Sequence, residues 1–285
     1  SRIGADVMGG IAGRLAKVVE RFHIQDAVCR ILTSYEEMLK LDLEGVFVVT
    51  PPGSHADLAA AAMRAGKHVF IEKPLATTLE QCYRIKFEAE RLGRTVMVGH
   101  TFIYHPAVRK FKESLPMVGA VRTIYTVRAN FGQYQEAGLL YDLLPHDLSI
   151  FNYLCGGFPT AVRAEVNRHQ DVGFVTAEFG PTVCNAFLSW GYPDKTRKLA
   201  AIGDKGILEW DLSKTHLLFH RKWAEPGAGR FQHHDEGTQN VMVYDQSEPL
   251  TLEALHFAEC LREGKPPLTG IEDGINVVKG LEACR

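Results

Sequence analysis

Strand-like apolar runs alternate with helical segments over the first 100 residues, and this alternation limits the fold more than any other feature of the sequence. The run Gly45–Thr50 is continuously apolar and stops at a Pro-Pro-Gly turn, as expected of a parallel strand buried on both faces. Capping residues at Ser34 and Thr78 mark two helix starts. Strands and helices that alternate at this spacing predict βαβ units and a doubly wound parallel sheet. The predicted strands are Ser1–Asp6, Gly45–Thr50, His68–Glu72 and Thr95–Gly99, and the predicted helices are Arg14–Phe22, Ser34–Leu39, His55–Ala65 and Thr78–Leu92.

The pattern changes after residue 100, where strand-like segments follow one another with glycine and proline between them. This pattern favours a mostly antiparallel, large open sheet in an α+β domain. The predicted domains are therefore residues 1–100 and residues 101–285, with the boundary near Gly99–His105. The polar stretch Trp223–Asn240 is predicted to be a surface loop. The predicted strands here are Val121–Asn130, Ala161–Asn167, Gly173–Phe179, Thr182–Trp190, Lys198–Gly203 and Gly206–Asp211, and the predicted helices are Pro106–Ser114, Asp142–Leu154, Leu252–Glu263 and Gly274–Cys284.

Charge, hydropathy and cysteine usage exclude several classes of protein. A net charge of -2 gives no electrostatic reason to expect binding to nucleic acid or to an anionic membrane. No apolar run reaches the roughly 18 residues that would span a bilayer. The cysteines have wide, irregular spacings without a C-x-x-C pair, which predicts neither a disulfide framework nor a zinc site but reduced thiols in a cytoplasmic protein. They are Cys29, Cys82, Cys155, Cys184, Cys260 and Cys284.

Several short motifs occur in order across both predicted domains. Thr50-Pro51-x-x-x-His55 follows one predicted strand, and Glu72-Lys73-Pro74 follows the next. Further segments of the same kind are Gly99–Pro106, Tyr141–Ile150, Ser189–Asp211 and Glu248–Leu250. With these motifs the chain resembles the glucose–fructose oxidoreductase/inositol dehydrogenase (Gfo/Idh/MocA) family over essentially its whole length. The resemblance implies a Rossmann domain followed by an α+β domain.

The resemblance also implies an activity, namely hydride transfer between NAD or NADP and a carbon of a sugar, sugar nucleotide or cyclitol. Tyr141–Ile150 and Ser189–Asp211 are most similar to members that act on sugar nucleotides. Two alternatives from other classes remain. An NAD-assisted glycoside hydrolase on the same fold would release sugar without net NADH, and a non-catalytic cofactor-sensing regulator would have no need of a general base.

The glycine-rich G-x-G-x-x-G turn with which this family begins has no match in the sequence. The glycines of the first 13 residues have a different spacing, and no strand of adequate length precedes them. Arg14–Phe22 is similar to the helix after the second strand, so we interpret the first βα unit as missing and the sequence as part of a longer chain. Asp6 would then bind the ribose of NAD, which slightly favours NAD over NADP. The alternative is that Asp6 is only a turn residue.

Lys73, Asp142 and His146 are the predicted catalytic residues. Oxidation of an alcohol carbon requires a hydride acceptor, a proton acceptor and stabilisation of the developing alkoxide. Lys73 suits the last two roles, and it follows a parallel strand, where open α/β sheets bind ligands. Asp142 and His146 are four residues apart, so they share a helical face on which the carboxylate can orient the imidazole. The alternatives are a surface lysine and a helix-start aspartate beside a packed histidine, and no further ligand stands at metal-binding spacing.

The resemblance places further residues at the cofactor. Thr50, Pro51 and His55 are expected to border the nicotinamide ribose. Glu72 is expected to brace the catalytic lysine or to contact the cofactor, and Pro74 to fix the chain beside it, with a cis bond as one option.

Four more residues are candidates for the nicotinamide or the substrate. His100 and Tyr104 follow the last Rossmann strand and are expected to face either molecule, with packing between the domains as the alternative. Lys195 and Arg197 are expected to bind a substrate phosphate, with solvated surface charge as the alternative. The adjacent His233 and His234 have two interpretations, a metal site and an exposed loop, and the sequence favours the exposed loop.

A homo-oligomer, dimer or tetramer, is also predicted. The open sheet of this family commonly packs against a partner subunit, and exposed apolar sheet surface needs covering. Val121–Asn130 and Thr182–Trp190 would supply that face.

Overall fold

The computed structural model describes residues 34–132, 134–227 and 230–284. The predicted strand Ser1–Asp6, the predicted helix Arg14–Phe22 and the predicted ribose-binding residue Asp6 lie outside the described residues.

The first part of the described chain is built on a parallel sheet of three strands in the order β1-β2-β3. The strands are β1 (Gly45–Val48), β2 (His68–Glu72) and β3 (Val96–Gly99). The alternation of strands and helices predicted from the sequence is confirmed here. The expectation that the run Gly45–Thr50 is buried on both faces is wrong. Phe47 in β1 is 48% exposed and packs with one side of its ring against Phe70.

Three helices accompany this sheet: α1 (Tyr35–Leu39), α2 (His55–Arg64) and α3 (Leu79–Leu92). The hydroxyl of Ser34 accepts a hydrogen bond from the backbone N–H of Glu37, and the hydroxyl of Thr78 accepts one from that of Gln81. These are the predicted helix caps. The third helix ends at Gly93, whose φ of 62° is the left-handed conformation that glycine adopts most readily.

The second part is built on a sheet of eight strands in the order β11-β10-β9-β8-β4-β7-β6-β5. The pair of β4 and β7 is parallel, and the other pairs are antiparallel, so the prediction of a large, mostly antiparallel sheet is confirmed. The strands are β4 (Val121–Phe131), β5 (Ala161–Val166), β6 (Val172–Phe179), β7 (Thr182–Ser189), β8 (Gly191–Gly203), β9 (Ile207–Asp211), β10 (His216–Pro226) and β11 (Phe231–Met242).

The prediction of a surface loop at Trp223–Asn240 is wrong. Most of this stretch belongs to the antiparallel pair of β10 and β11, whose register joins His216 to Met242 and Pro226 to Phe231. Its side chains are largely exposed, so it lacks the alternation of apolar and polar residues that would identify strands.

Helix α5 (Leu139–Cys155) packs against β4, β6 and β7, and it carries the predicted catalytic aspartate and histidine into the molecule. The other helices of this part are α4 (Pro106–Ser114), α6 (Pro249–Glu263) and α7 (Ile271–Glu282), with short 3₁₀ turns at Pro52–Ser54, Thr101–Tyr104 and Leu115–Val118. Helix α7 packs against α5, which covers the larger sheet, and against α3 and β3 of the parallel-sheet part. It therefore connects the two parts of the described chain. Within the described residues, no helix is both long and apolar enough to cross a membrane.

Candidate active site

Lys73 follows the last residue of β2 and reaches across to the start of α5. Its Nζ donates a hydrogen bond to the main-chain oxygen of Asp142 at 2.8 Å and lies 3.5 Å from the carboxylate Oδ1 of the same residue. The Lys73–Pro74 bond is cis, the option noted from the sequence. Burial lowers the pKa of Lys73, whereas the charges of Asp142 and Glu72 oppose that shift. The ammonium is thus held in a largely desolvated position with 14% of its side chain exposed.

Asp142 and His146 lie on α5 as predicted, but the carboxylate does not orient the imidazole. Oδ2 of Asp142 accepts a hydrogen bond from Nε1 of Trp190 at 3.2 Å, and Oδ1 faces Lys73. The ring of His146 packs edge-on against Phe102 with 5.3 Å between the ring centroids. Because the short aspartate side chain is already engaged by two other groups, its role is to hold Lys73 and Trp190.

His146 is kept neutral by its surroundings. Burial is the main cause of a pKa well below the usual histidine value, and the charges of Arg128, Lys73 and Arg197 add to it. Its Nδ1 is buried and has no hydrogen-bond partner among the described residues. A neutral imidazole offers one acceptor nitrogen, so it can accept a hydrogen bond or a proton from a hydroxyl group.

An ion pair that the sequence analysis missed supports this helix from below. Arg128 on β4 binds Asp147 on α5 through two hydrogen bonds of 2.8 and 3.1 Å, and both side chains are almost completely buried. The guanidinium also lies 4.4 Å from the centroid of the Phe102 ring. The available signal was a charged residue at an inward position of a strand, where only a paired charge is tolerated.

His55 joins the two motifs of the parallel sheet. Its Nδ1 lies 3.0 Å from the main-chain oxygen of Pro74 and its Nε2 lies 2.7 Å from that of Thr50, and the ring is completely buried. Contact with the nicotinamide ribose, as expected from the sequence, would need this ring to leave both carbonyls. The hydroxyls of Thr50 and Ser54 are 2.7 Å apart, and the neighbouring Pro51 is exposed at this edge.

Glu72 lies between Lys73 and the end of β3. A Cβ atom on Gly99 would come within 2.7 Å of Oε2 of Glu72, so only glycine leaves space for this carboxylate. Burial raises the pKa of Glu72, and Lys73 opposes the shift. Glu253 on α6, which the sequence did not reveal, is a second buried carboxyl near it. Burial raises the pKa of Glu253 to about 8, and its Oε2 accepts a hydrogen bond from the hydroxyl of Thr101 at 2.8 Å.

Tyr104 does not reach a surface on which a ligand could bind, whereas His100 lines a cavity of about 290 Å³. Tyr104 is completely buried and its hydroxyl is 2.9 Å from that of Thr269, so the packing alternative describes it and the expected substrate contact is wrong. His100 is 1% exposed, and burial followed by the charge of Lys73 lowers its pKa to about 3. Neither ring nitrogen of His100 has a partner among the described residues. Its expected contact with the nicotinamide or the substrate therefore stays a prediction.

Arg197 and Lys195 differ in their surroundings although both lie on β8. Arg197 is half-buried and donates to the main-chain oxygen of Ala129 at 2.7 Å and to Oδ1 of Asn130 at 3.3 Å. Burial, and then the charge of Arg128, lower its pKa to about 10. Lys195 is exposed on the outer part of the strand. Only Arg197 is therefore brought towards α5, where the charges of Asp147 and Asp142 act on it.

The histidines of β11 form no metal site in the described part of the chain, where no group of three or more suitable side chains could hold a metal ion. His234 stacks on Trp223 with 4.6 Å between the ring centroids, and its Nε2 lies 2.9 Å from a carboxylate oxygen of Glu225.

The residues around Lys73 fit a nicotinamide and an alcohol. Lys73 follows β2, and the carboxyl end of β3 lies beside it with Gly99, which is the edge of a parallel sheet where dinucleotides bind. The unpartnered Nδ1 of His146 is a feature that a packed core would not require. A buried polar atom of this kind needs water or a ligand as its partner.

Comparison with known proteins places both parts of the chain in one family. A model described as an oxidoreductase family with an NAD-binding Rossmann fold matches residues 6–100, and the model of its C-terminal alpha/beta domain matches residues 88–285. The scyllo-inositol 2-dehydrogenase (NAD(+)) of Bacillus subtilis is 27% identical over 278 residues, covering 87% of this chain and 77% of that protein.

Two further proteins that are similar to this chain agree with that family assignment. The UDP-N-acetylglucosamine 3-dehydrogenase of Acidithiobacillus ferrooxidans is 31% identical over 138 residues, but this match covers only 48% of this chain and 43% of that protein. The crystal structure of an oxidoreductase from Magnetospirillum magnetotacticum superposes with a TM-score of 0.79 at 27% identity, covering 93% of this chain and 88% of that one.

Proposed function

This chain belongs to the glucose–fructose oxidoreductase/inositol dehydrogenase family, and we propose that it transfers a hydride between a nicotinamide cofactor and a hydroxyl-bearing carbon of a sugar, sugar nucleotide or cyclitol. The observation that carries the proposal is the contact of Lys73 with Asp142 at the carboxyl end of β2, with His146 near enough for the charge of Lys73 to help lower its pKa. A lysine ammonium and a neutral imidazole are thus brought to one region, and these are the two protein groups that alcohol oxidation needs.

The nicotinamide, when bound, supplies the acceptor or donor of the hydride. Lys73 holds its positive charge where the substrate oxygen becomes negative, which stabilises the alkoxide in a site that excludes much of the water. The main-chain oxygen and the carboxylate of Asp142 direct the ammonium and favour its charged form.

His146 is the group that we assign to the hydroxyl proton during oxidation. Its lowered pKa keeps the imidazole neutral and ready to accept. The nearby charges of Lys73 and Arg128 disfavour the imidazolium, so the proton is passed on rather than retained. In the direction of reduction the same nitrogen returns a proton to the oxygen.

We assign the substrate class from the relatives and from the second sheet. The two relatives named above act, by their names, on an inositol and on a nucleotide-linked sugar. Arg197 faces the acidic side chains of α5 and is half-buried, so it suits a polar or phosphate-bearing part of such a substrate. Lys195 is exposed on the outer part of β8, so it would contact only a substrate long enough to reach it.

The experiment is a turnover assay with NAD and NADP against sugars, cyclitols and sugar nucleotides, using the full-length protein. Lys73→Met is expected to lower kcat by about 10³-fold, and His146→Asn by about 10²- to 10⁴-fold, with cofactor binding retained. The control is Lys67→Met, because Lys67 is also buried and donates to a main-chain oxygen, that of Leu41, away from the site. Full activity in Lys73→Met, or release of sugar without net formation of reduced cofactor, would exclude this dehydrogenase mechanism.

We further propose that the protein acts as a homo-oligomer through the face of the eight-stranded sheet opposite α5. Phe174 on β6, which is 60% exposed, packs at a tilt against Phe187 on β7, and Tyr192 extends the same group of rings. An aromatic cluster of this size on an open sheet is covered in stable proteins by another surface, and a second copy of the chain supplies the simplest one.

A further inference from the structure

The two cysteines at the end of the catalytic helix lie in contact. Cys155 is the last residue of α5, and Cys184 lies on β7 beneath it, with 3.8 Å between their sulfur atoms. The two residues are 29 positions apart in the sequence, so only the packing of the helix on the sheet brings them together. From this geometry we propose that Cys155 and Cys184 form a reversible disulfide under oxidising conditions, a modification that fastens the end of α5 to the sheet.

The backbone on each side determines which residue moves. Cys184 is paired with Ile124 on one side and with Ala177 on the other, so its position is fixed within the sheet. Cys155 is followed by Gly156, which has a φ of 72°, and by Gly157. Bond formation requires the sulfur atoms to approach to about 2.05 Å. The helix end can provide that shift, because two glycines restrict the backbone least.

The two thiols also differ in reactivity. The hydrogen bond from the thiol of Cys184, together with the charge of Lys112, lowers the pKa of Cys155, whereas the same contact and burial raise the pKa of Cys184. Cys155 is therefore the thiolate that attacks, and Cys184 is the thiol that resolves. The ammonium of Lys112 is held nearby, since it donates to the main-chain oxygen of Tyr153 at 2.7 Å.

A small oxidant can reach this place. Cys155 is partly exposed, whereas Cys184 is buried, so the oxidant meets Cys155 first. Hydrogen peroxide is the oxidant that we specify. The Cys155 thiolate attacks one peroxide oxygen, the O–O bond breaks, and hydroxide leaves, giving a sulfenic acid. The sulfur of Cys184 then attacks Cys155, the S–O bond breaks, and the thiol proton leaves with the hydroxide as water. Two thiols lose two electrons, and peroxide becomes two waters.

The bond should stabilise the protein without stopping turnover. It lies thirteen residues from Asp142 on the same helix, or about 20 Å at 1.5 Å per residue. Cross-linking two distant residues restricts the unfolded chain, so we expect Tm to rise by roughly 5 °C on oxidation and to return on reduction. We expect kcat to stay within about twofold.

The test is peroxide treatment of the native full-length protein, followed by digestion without reduction and mass spectrometry. The expected product is one linked peptide that joins Cys155 to Cys184 and is lost on reduction. Cys155→Ser and Cys184→Ala should each abolish both the linked peptide and the rise in Tm. Cys284→Ser, which removes another partly exposed thiol, should keep both.

Two results would overturn the proposal. One is oxidation of Cys155 to sulfinic acid, or its pairing with any other cysteine, in place of the expected link. The other is a linked protein whose Tm does not rise, because the bond would then strain the native packing instead of fastening it. If Cys184→Ala fails to fold, Cys155→Ser is the decisive variant. The side chain of Cys155 is partly exposed, so its replacement disturbs the core less.

Discussion

The main-chain oxygen of Asp142 accepts a 2.8 Å hydrogen bond from Nζ of Lys73, and this contact joins the end of a parallel strand to the first turn of α5. The carboxylate of the same aspartate lies 3.5 Å from that nitrogen. One residue thus fixes the position of the ammonium through its backbone and influences its charge through its side chain. These two effects can be separated experimentally.

Asp142→Asn keeps the backbone contact and removes the negative charge. Because the carboxylate raises the pKa of Lys73, its loss should lower that pKa further. If the ammonium is the active form, the alkaline limb of the kcat/KM profile moves to lower pH. The profile should be recorded from about pH 6 to 10, with Asp194→Asn at an exposed position as the control. An alkaline limb that stays in place would show that the charge of Lys73 is not what titrates.

The buried pair of Arg128 and Asp147 should matter most for stability. Asp147→Asn leaves an uncompensated guanidinium under α5 and should reduce the free energy of unfolding by about 3–5 kcal/mol. The double variant Arg128→Met/Asp147→Leu removes both charges and should lose less. Denaturant titration compares them with Glu178→Gln, which breaks an exposed pair with Arg163 and should cost under about 1 kcal/mol. An equal loss in single and double variants would contradict the explanation by an unpaired charge.

The sequence predicts best those residues and elements that lie in short contiguous motifs. The sequence predicts Lys73, Asp142 and His146 as site residues because each lies in a short motif whose helix or strand the local pattern also predicts, and the structure brings Lys73 into contact with Asp142. Their supporting partners are not predicted, because Arg128 and Trp190 meet α5 only through the order of strands in the larger sheet. Long-range pairing of this kind leaves no local pattern.

The same limit explains the errors. Tyr104 follows a parallel strand, as binding residues often do, but the turn at Thr101–Tyr104 directs it to Thr269 in the core. The β10–β11 pair is exposed on most of its length, so its polar composition is typical of a loop although its backbone is paired except at a register shift between His220 and Lys222. In both cases the tertiary contact, rather than local propensity, decides the structure.

Glu253 predicts how stability depends on pH. Its carboxyl is 1% exposed, and burial raises its pKa to about 8 in the folded protein, so the folded state binds a proton that the unfolded state releases above about pH 4.5. Its contribution to stability is complete below that pH and is lost as the pH rises through about 8, with a slope of up to about 1.4 kcal/mol per unit. Glu253→Gln, which is neutral throughout, should flatten this decline.

Denaturant unfolding at several pH values between about 5 and 9 would measure that slope. Glu259→Gln, at an exposed position of the same helix, is the control and should follow the unchanged protein. A parallel decline in Glu253→Gln would assign the pH dependence to other groups.

Phe174→Glu should break the proposed assembly without unfolding the chain. Phe174 is 60% exposed on β6 and faces Phe187 across the β6–β7 pair, so a carboxylate there would repel its own copy in a symmetric interface while remaining solvated in the separate subunit. Phe87→Glu is the matched control, because Phe87 is 63% exposed on α3, away from this sheet. Light scattering should give the mass of one chain for Phe174→Glu and an integral multiple of it for the unchanged protein and for Phe87→Glu.

A single-chain mass for the unchanged protein would contradict the assembly. If instead all three proteins had the same multiple of the chain mass, the copies would associate through a different surface, and the aromatic cluster would need another explanation.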